Sequence, residues 1–174
     1  MLTLRRAELR DWARLLYWRN DPATRAMSKT GKAIALDEHT QWLKDALVNK
    51  DIILLIARDT AASRYVGMCR IDRCSRPREG SSGDEETYGE VSIVVDPRCR
   101  GIGYGDQIIQ AAVRMTREQM LRMAGRLSAT DLLTTLVASV KADNWPSLRA
   151  FTECGFVLKV GVAGAKILIL ECSL

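Results

Sequence analysis

"VVDPRCRGIGYGDQII", residues 94–109, sets three glycines into five positions between an apolar, β-branched run and a stretch with helical spacing. Arg98 and Arg100 stand just ahead of them. A strand that passes into a helix through such a loop exposes the first backbone N–H groups of the helix and the positive end of its dipole, and both attract an anion. Glycines let that anion approach the main chain and allow left-handed conformations that turn successive N–H groups inward. The loop reads as a phosphate cradle; the plainer alternative is a tight strand-to-helix turn without a ligand. Two familiar phosphate loops are excluded. A Walker loop ends Gly-Lys-Ser/Thr, whereas this one ends Gly105-Asp106-Gln107. A dinucleotide fingerprint needs Gly-x-Gly-x-x-Gly after a first strand, but Gly101, Gly103 and Gly105 are spaced two apart in mid-chain.

The rest of the chain frames that loop. A length of 174 residues fits one domain, 1–174, and 47% hydrophobic with 27% charged residues is ordinary for a globular protein. The five cysteines have no Cys-x-x-Cys pair and His39 is the only histidine, so no structural metal is expected. The N-terminus lacks the apolar core of a signal peptide, and no apolar run approaches ~20 residues, so a cytoplasmic protein without membrane contact is expected. A net charge of +5 invites a nucleic-acid reading, but the basic residues are scattered and form no block, which argues against nucleic acid.

Periodicity gives an order of elements. "LTLRRA" alternates as a first strand. "ELRDWARLLYWRN" follows with Leu9, Trp12, Leu15 and Leu16 at helical spacing and stops at Asn20-Asp21-Pro22. "LDEHTQWLKDAL" is a second helix with Trp42, Leu43 and Leu47 on one side. "DIILLIARD" and "RYVGMCRIDRC" are strands, "SRPREGSSGDEE" is a loop by composition, and "YGEVSIVVD" is the strand entering the glycines. Beyond them come a long helix with Ile108, Ala112 and Met115 as its core stripe, the strand "DLLTTLVASV", and the helix "WPSLRAFTEC" opened by Pro146 and closed by Gly155. "FVLKV" and "AKILILEC" finish as a hairpin through "GVAG". This order predicts an α/β fold with a mixed, mostly antiparallel sheet of about seven strands flanked by about four helices.

"RCRGIG" supplies the Arg/Gln-x-x-Gly-x-Gly/Ala pattern at Arg98, Gly101 and Gly103, and "VKADNWPSLRAFTECGF" carries a second motif at Asn144, Ser147 and Gly155-Phe156. With these the chain resembles the GNAT N-acetyltransferase superfamily over nearly its whole length. The resemblance implies an acetyl-CoA-dependent transfer of acetyl to a primary amine, without a metal, with the pantetheine arm inserted between splayed fourth and fifth strands. The cofactor contacts it implies are Val94, Val95, Arg98, Arg100, Gly101, Ile102, Gly103, Tyr104, Gly105, Asn144, Ser147 and Phe151. Phe151 stands where many relatives carry a tyrosine as general acid.

"WRN" at Trp18-Arg19-Asn20, Arg25, and "DEH" at Asp37-Glu38-His39 resemble the branch of ribosomal-protein N-terminal acetyltransferases and the UDP-amino-sugar N-acetyltransferase of pseudaminic acid synthesis. On that resemblance Arg19, Asn20, Arg25 and Glu38 border the acceptor, a small-molecule amine that is expected to be nucleotide-linked. A protein N-terminus and a non-catalytic acyl-CoA-binding module are the alternatives, and monomer and homodimer both stay open. The attacking amine must lose a proton. Glu90, on the strand before the loop, is the first candidate base and His39, titrating near neutrality, the second.

Overall fold

In the strand β2 (Ile52–Asp59) Leu54 and Ile56 alternate with Leu55 and Ala57, and all four are at most 2% exposed. A strand buried on both faces must carry helices on both. The computed structural model describes residues 1–28, 30–77, 83–126, 132–159 and 166–174 and has that architecture. β1 (Leu2–Arg6) leads through a 3-10 turn at Leu9–Asp11 into α1 (Trp12–Asn20), α2 (Pro22–Met27) and α3 (Leu36–Val48). After β2 come β3 (Arg64–Pro77), β4 (Glu85–Val95), α4 (Tyr104–Met123), β5 (Thr135–Lys141), α5 (Trp145–Glu153), β6 (Val157–Lys159) and β7 (Ile167–Ser173). The sheet order is β1-β2-β3-β4-β5-β7-β6. Every pair is antiparallel except β4 with β5.

Two apolar layers sandwich the sheet. Leu55, Ile71 and Val91 join Ile108, Ile109 and Ala112 of α4 and Phe151 of α5 on one face. Leu54 and Ile56 join Leu15 and Trp18 of α1 and Leu43 of α3 on the other, with Met68 and Val94 packed against them. Gly67 of β3 lies against both the β4 main chain and α4. A Cβ there would lie 2.4 Å from the Val94 carbonyl oxygen and 2.9 Å from Ile108 Cδ1, so only glycine fits between β4 and α4.

The feature that matters for function is where β4 and β5 part. Their parallel ladder consists of Gly89↔Leu136 and Glu90↔Val137. From Val91 onward β4 keeps its partner β3 up to Val95, while β5 diverges. This is the expected splayed pair. Among the described residues no helix is long and apolar enough to cross a membrane.

Several details need correction, the number of helices aside: among the described residues there are five α-helices, in keeping with the expected about four. The additional one is α2: Asn20-Asp21-Pro22 ends one helix and starts the next, because Asp21 accepts the Thr24 N–H at 2.9 Å as N-cap and Pro22 sits at the first helical position. Leu9 and Trp12 are 49% and 41% exposed, and Leu15 and Trp18 carry the buried stripe instead. The 3-10 turn at residues 9–11 has about three residues per turn, which breaks the helical phase read from Leu9. The loop "SRPREGSSGDEE" is shorter than expected, since β3 and β4 stay paired out to Pro77↔Glu85. Arg76 fastens that end by ion pairs to Glu86 and, at 2.6 Å, to Glu171 on β7. The "GVAG" turn lies outside the described residues, although β6 and β7 pair antiparallel as expected of its two arms.

His39 belongs to this packing. It is 2% exposed on the inner face of α3, its ring centroid lies 5.4 Å from that of Trp42, and Nε2 donates to the Trp12 carbonyl at 3.1 Å. Burial lowers its pKa, the hydrogen bond opposing this, so the ring is held neutral. An imidazole so enclosed has no path to a substrate amine, and the expectation of His39 as a base gives way to a structural role. The unfolded chain, titrating at 6.5, binds its proton more readily than the fold. The stability His39 contributes is therefore complete above that pH and is lost as the pH falls through it toward the lower folded value. Thermal melts should show the midpoint declining below pH 6.5, and His39→Gln should flatten that decline above about pH 5, where carboxylates have yet to titrate. An identical slope in the variant would contradict this assignment.

Candidate active site

The glycine loop is built on Asp96. This carboxylate is 1% exposed and accepts the Arg98 N–H at 2.9 Å, Arg98 Nε at 3.0 Å and Nη2 at 2.7 Å. The Arg98 guanidinium, acting against burial, holds the Asp96 carboxyl down at about 2. The chain is thereby turned through Pro97–Cys99 before the glycines begin. Gly101 and Gly103 then adopt φ values of 77° and 82°, and a Cβ at either would meet nothing within 4 Å. Their requirement is conformational, and it leaves open space above the loop. Gly103 is the N-cap of α4, and the Gln107 N–H closes the first helical bond on its carbonyl at 3.3 Å. The amides ahead of Gln107 have no carbonyl one turn earlier, so they and the dipole of a 20-residue helix face that space. The main chain of Gly101, Ile102, Gly103, Tyr104 and Gly105 borders this space.

Side chains around the loop have other occupations. Tyr104 is buried; its hydroxyl donates to Asp59 at 2.6 Å and accepts from Arg64 at 3.2 Å. It pins the start of α4 to the β2–β3 turn and offers a ligand its backbone alone. Gly105 has ordinary space for a Cβ, 3.8 Å from Ile93 Cδ1. Arg98 is committed to Asp96, and its guanidinium lies 5.7 Å from the Tyr17 ring centre. Arg100 Nη2 reaches Asp21 at 2.6 Å and Thr24 Oγ1 at 2.8 Å, both at the start of α2. At the far end of α2, Lys141 of β5 donates to the Ala26 carbonyl at 2.7 Å. A six-residue helix is thus tied to both lips of the β4–β5 gap.

The gap has donors of its own. Residues along a strand alternate in which neighbour their N–H groups face. The Asp96 N–H is given to Val66 on β3 at 2.8 Å, so the Val95 and Ile93 N–H groups point away from β3, where β5 has left. The Val94 N–H faces β3, and its side chain packs with α1 and α3. Across the gap Asn144 caps α5 by accepting the Ser147 N–H at 3.3 Å, which leaves its amide NH₂ to donate. Ser147 is half-buried one turn before Phe151. Phe151 is 2% exposed and meets Phe156 edge-on at 4.9 Å, so its ring packs in the core.

Glu90 shares a sheet face with Ser92 and Val94, the face that carries α1 and α3. Its cross-strand partner is Asp72, and Arg70 opposes Ser92. Arg70 Nε donates to Asp72 at 2.7 Å, and its guanidinium lies 5.6 Å from a Trp42 ring centre. Ser92 is exposed, so this floor of Arg70, Asp72, Glu90 and Ser92 is open to solvent beside the gap. Asp72 and Arg70 escaped the sequence reading; the signal was the alternation in "RID" and "GEVS", which only the register turns into a shared site.

The expected acceptor residues do other work. Asn20 bridges the main chain of Ile34, donating to its carbonyl and accepting its N–H at 2.8 Å each. Arg25 Nε donates to the Gly31 carbonyl at 3.2 Å, and Arg19 Nη2 to Thr30 Oγ1 at 3.3 Å. All three fasten the segment between α2 and α3. Arg19 Nη1 is buried without a hydrogen-bond partner. Glu38 is exposed in the first turn of α3. Among the described residues no group of three or more His, Cys, Asp or Glu is disposed to hold a metal.

Comparison with known proteins bears on this geometry. YwnH of Bacillus subtilis (strain 168), assigned as a phosphinothricin acetyltransferase, is 25% identical over 156 residues, 89% of this chain and 83% of that protein. Among solved structures the fold matches a ribosomal-protein-alanine N-acetyltransferase from Brucella melitensis with TM-score 0.71 at 22% identity, covering 99% of both chains. It also matches a spermidine N-acetyltransferase from Vibrio cholerae, in complex with CoA and spermine, with TM-score 0.72 at 15% identity, covering 99% of this chain and 95% of that one. Residues 1–157 match the sequence model described as "Acetyltransferase (GNAT) domain". A splayed β4–β5 pair behind a glycine cradle is what such a domain requires, and this chain belongs to the GNAT family as an acetyl-CoA-dependent N-acetyltransferase.

Proposed function

We propose that this enzyme acetylates the primary amine of a small cationic molecule. The observation that carries the reading is the pairing of Glu90 with Asp72 on an open sheet face beside the β4–β5 gap. Arg70 holds Asp72 at 2.7 Å, and the two carboxylates stand side by side on the face where an acceptor amine would approach. Acetyl-CoA, when bound, supplies an acetyl group activated as a thioester. The main-chain amides from Gly101 to Gly105 would hold its pyrophosphate and the Asn144 NH₂ its pantetheine arm. An ammonium has no lone pair, so the amine must be deprotonated first, and Glu90 Oε, directly or through one water, takes that proton. The N–H groups of Ile93 and Val95 are the donors available to charge developing on the carbonyl oxygen. Phe151 offers no proton to a departing sulfur. A free thiol has a pKa of about 8.5, so departure unassisted near pH 7 costs roughly 2 kcal/mol, which needs no dedicated acid.

Arg19 and Arg25 were the basis for expecting a nucleotide-linked amino sugar. Arg25 gives only its Nε–H to the main chain, and Arg19 Nη1 is buried and unpartnered, so both retain donors that support that second reading. The Vibrio cholerae structure of similar fold is a complex with CoA and spermine, which supports the cationic reading. The deciding experiment compares kcat/KM for spermidine, a UDP-linked amino sugar and a peptide with a free N-terminus. Spermidine should be preferred. A UDP-sugar preference abolished by Arg19→Ala would replace the cationic reading with the nucleotide one, and a peptide preference would point to a protein acceptor.

Glu90→Gln should lower kcat by about 10²–10⁴-fold, the usual range for loss of a general base, while the Kd for CoA stays at its wild-type value. A near-normal kcat would remove Glu90 from the proton path. Gly103→Glu should abolish CoA binding by calorimetry. The new side chain meets no clash but enters the open cradle with a charge that repels phosphate. Its left-handed backbone costs roughly 1–2 kcal/mol, so the variant should still fold. Wild-type CoA affinity in it would move the cofactor elsewhere.

A further inference from the structure

A cavity of about 500 Å³ lies behind the glycine loop, on the β3 side of β4, whereas the cofactor gap opens on the β5 side. Its walls are Arg14, Tyr17 and Trp18 of α1, Arg64 and Tyr65 at the start of β3, and Arg98, with Asp96 at its base. None of them comes from β5, α5 or the glycines. We infer that this cavity is a second small-molecule site, and that it takes a planar aromatic anion.

Three features of the walls lead there. The first is charge: three guanidinium groups face one carboxylate, Asp96, which Arg98 already satisfies at 2.7 Å. Around Tyr65 the crowding is greater still, with Arg14, Arg5 and Arg58 at 3.7, 5.2 and 5.8 Å from its ring centre. Against these three stand Asp11, bound to Arg5 at 2.8 Å and Arg14 at 3.2 Å, and the exposed Glu8, 3.9 Å from Arg5. Arg5 beside the Tyr65 hydroxyl, and then the charges of Arg14 and Arg58, lower that phenol's pKa against burial. Like charges gathered this way repel, and an anion between them relieves the repulsion.

The second feature is unused donors. Arg14 commits Nε to Asp11, Arg64 commits Nη2 to the Tyr104 hydroxyl, and Arg98 commits Nε and Nη2 to Asp96. A guanidinium carries five N–H groups, so each is anchored in place with donors to spare, as bidentate recognition of a phosphate or carboxylate requires. Trp18 is 2% exposed and lines the cavity, and its indole N–H is directed at Asp96, which further engages that carboxylate from within the protein. The third feature is aromatic surface. Tyr17, Trp18 and Tyr65 line one small chamber, and Tyr17 is 51% exposed at its mouth. Rings and guanidinium planes together receive a flat π-system, and the volume lies within the roughly 300–1,000 Å³ of small-ligand sites.

The test is calorimetric titration of the full chain, pre-saturated with CoA, with adenosine monophosphate and separately with benzoate; the two arms tell a phosphate-bearing ring from a carboxylate-bearing one. At least one probe should bind saturably with a Kd near or below about 1 mM. Tyr17→Ala and Arg64→Gln should each weaken it at least about tenfold and leave the Kd for CoA unchanged. The exposed Tyr17 can be truncated without opening the core, so this variant stays informative if Arg64→Gln loosens the turn. Absence of saturable heat from both probes, binding indifferent to both substitutions, or displacement of the probe by CoA would each overturn the inference. The last outcome would make the cavity part of the cofactor's own nucleotide site.

Discussion

β4 and β5 share two residue pairs and then separate, and much of the molecule exists to make that separation tolerable. A strand that loses its neighbour leaves main-chain N–H and C=O groups without partners, and each buried unsatisfied group costs about 1–3 kcal/mol. The sheet offsets this by holding β4 firmly on its other side, where β3 pairs with it from Gly67↔Val95 to Pro77↔Glu85. Gly67 lets the Val94 carbonyl and Ile108 come so close that β4 is clamped between β3 and α4. On the far lip β5 is fixed by β7 over seven residue pairs. The two lips are thus separately rigid, and the amides of Ile93 and Val95 remain available between them as preorganised donors.

What spans the lips is weak on its own. A helix as short as α2 gains too few hydrogen bonds to repay its nucleation and persists only through its surroundings. Here these are the Asp21 cap, Arg100 from the glycine loop and Lys141 from the end of β5. Arg100 precedes the first glycine of the cradle, and Asp21 bonds both to it and to the Thr24 N–H. The glycine loop and the start of α2 are therefore joined by one ion pair. That pair is partly exposed, so it contributes little to global stability, and its weight lies in geometry.

The parts of the fold that follow from local spacing were legible in the chain: the strands and their order, the long helix after the glycines, the Pro146 start and Gly155 end of α5. The two motifs located both walls of the gap. What escaped depends on register or on competition among side chains. Asp72 meets Glu90 through antiparallel pairing, which no local pattern in "MCRIDRC" encodes. Asn20, Arg19 and Arg25 look from sequence like ligand-binding groups, yet the segment after α2 has backbone groups that need partners, and these side chains are the nearest donors and acceptors. His39 titrates near neutrality as a free residue. On the inner face of α3 the same ring meets Trp12 and Trp42 and serves the core. Residue type proposed these roles, and burial decided between them.

The net charge of +5 can be followed in the same way. Arg70, Arg76 and Arg149 pair with carboxylates within hydrogen-bonding distance, so they add little field beyond their own neighbourhood. Arg98 and Arg100 are paired too, but their partners, Asp96 and Asp21, are spent in capping turns beside the glycine loop. The less balanced arginines lie around Tyr65, where Arg5, Arg14 and Arg58 converge, and beside it Arg64 reaches Tyr104. Tyr104 is also the first residue of α4, so that cluster stands behind the helix end whose dipole faces the cradle. Positive charge is concentrated at one end of the sheet, where β3 begins and β4 ends. The opposed carboxylates Asp72 and Glu90 lie further back along the same two strands. An anionic cosubstrate would thus meet a field of opposite sign to its own at the end of β4, which draws it toward the cradle before any contact is made.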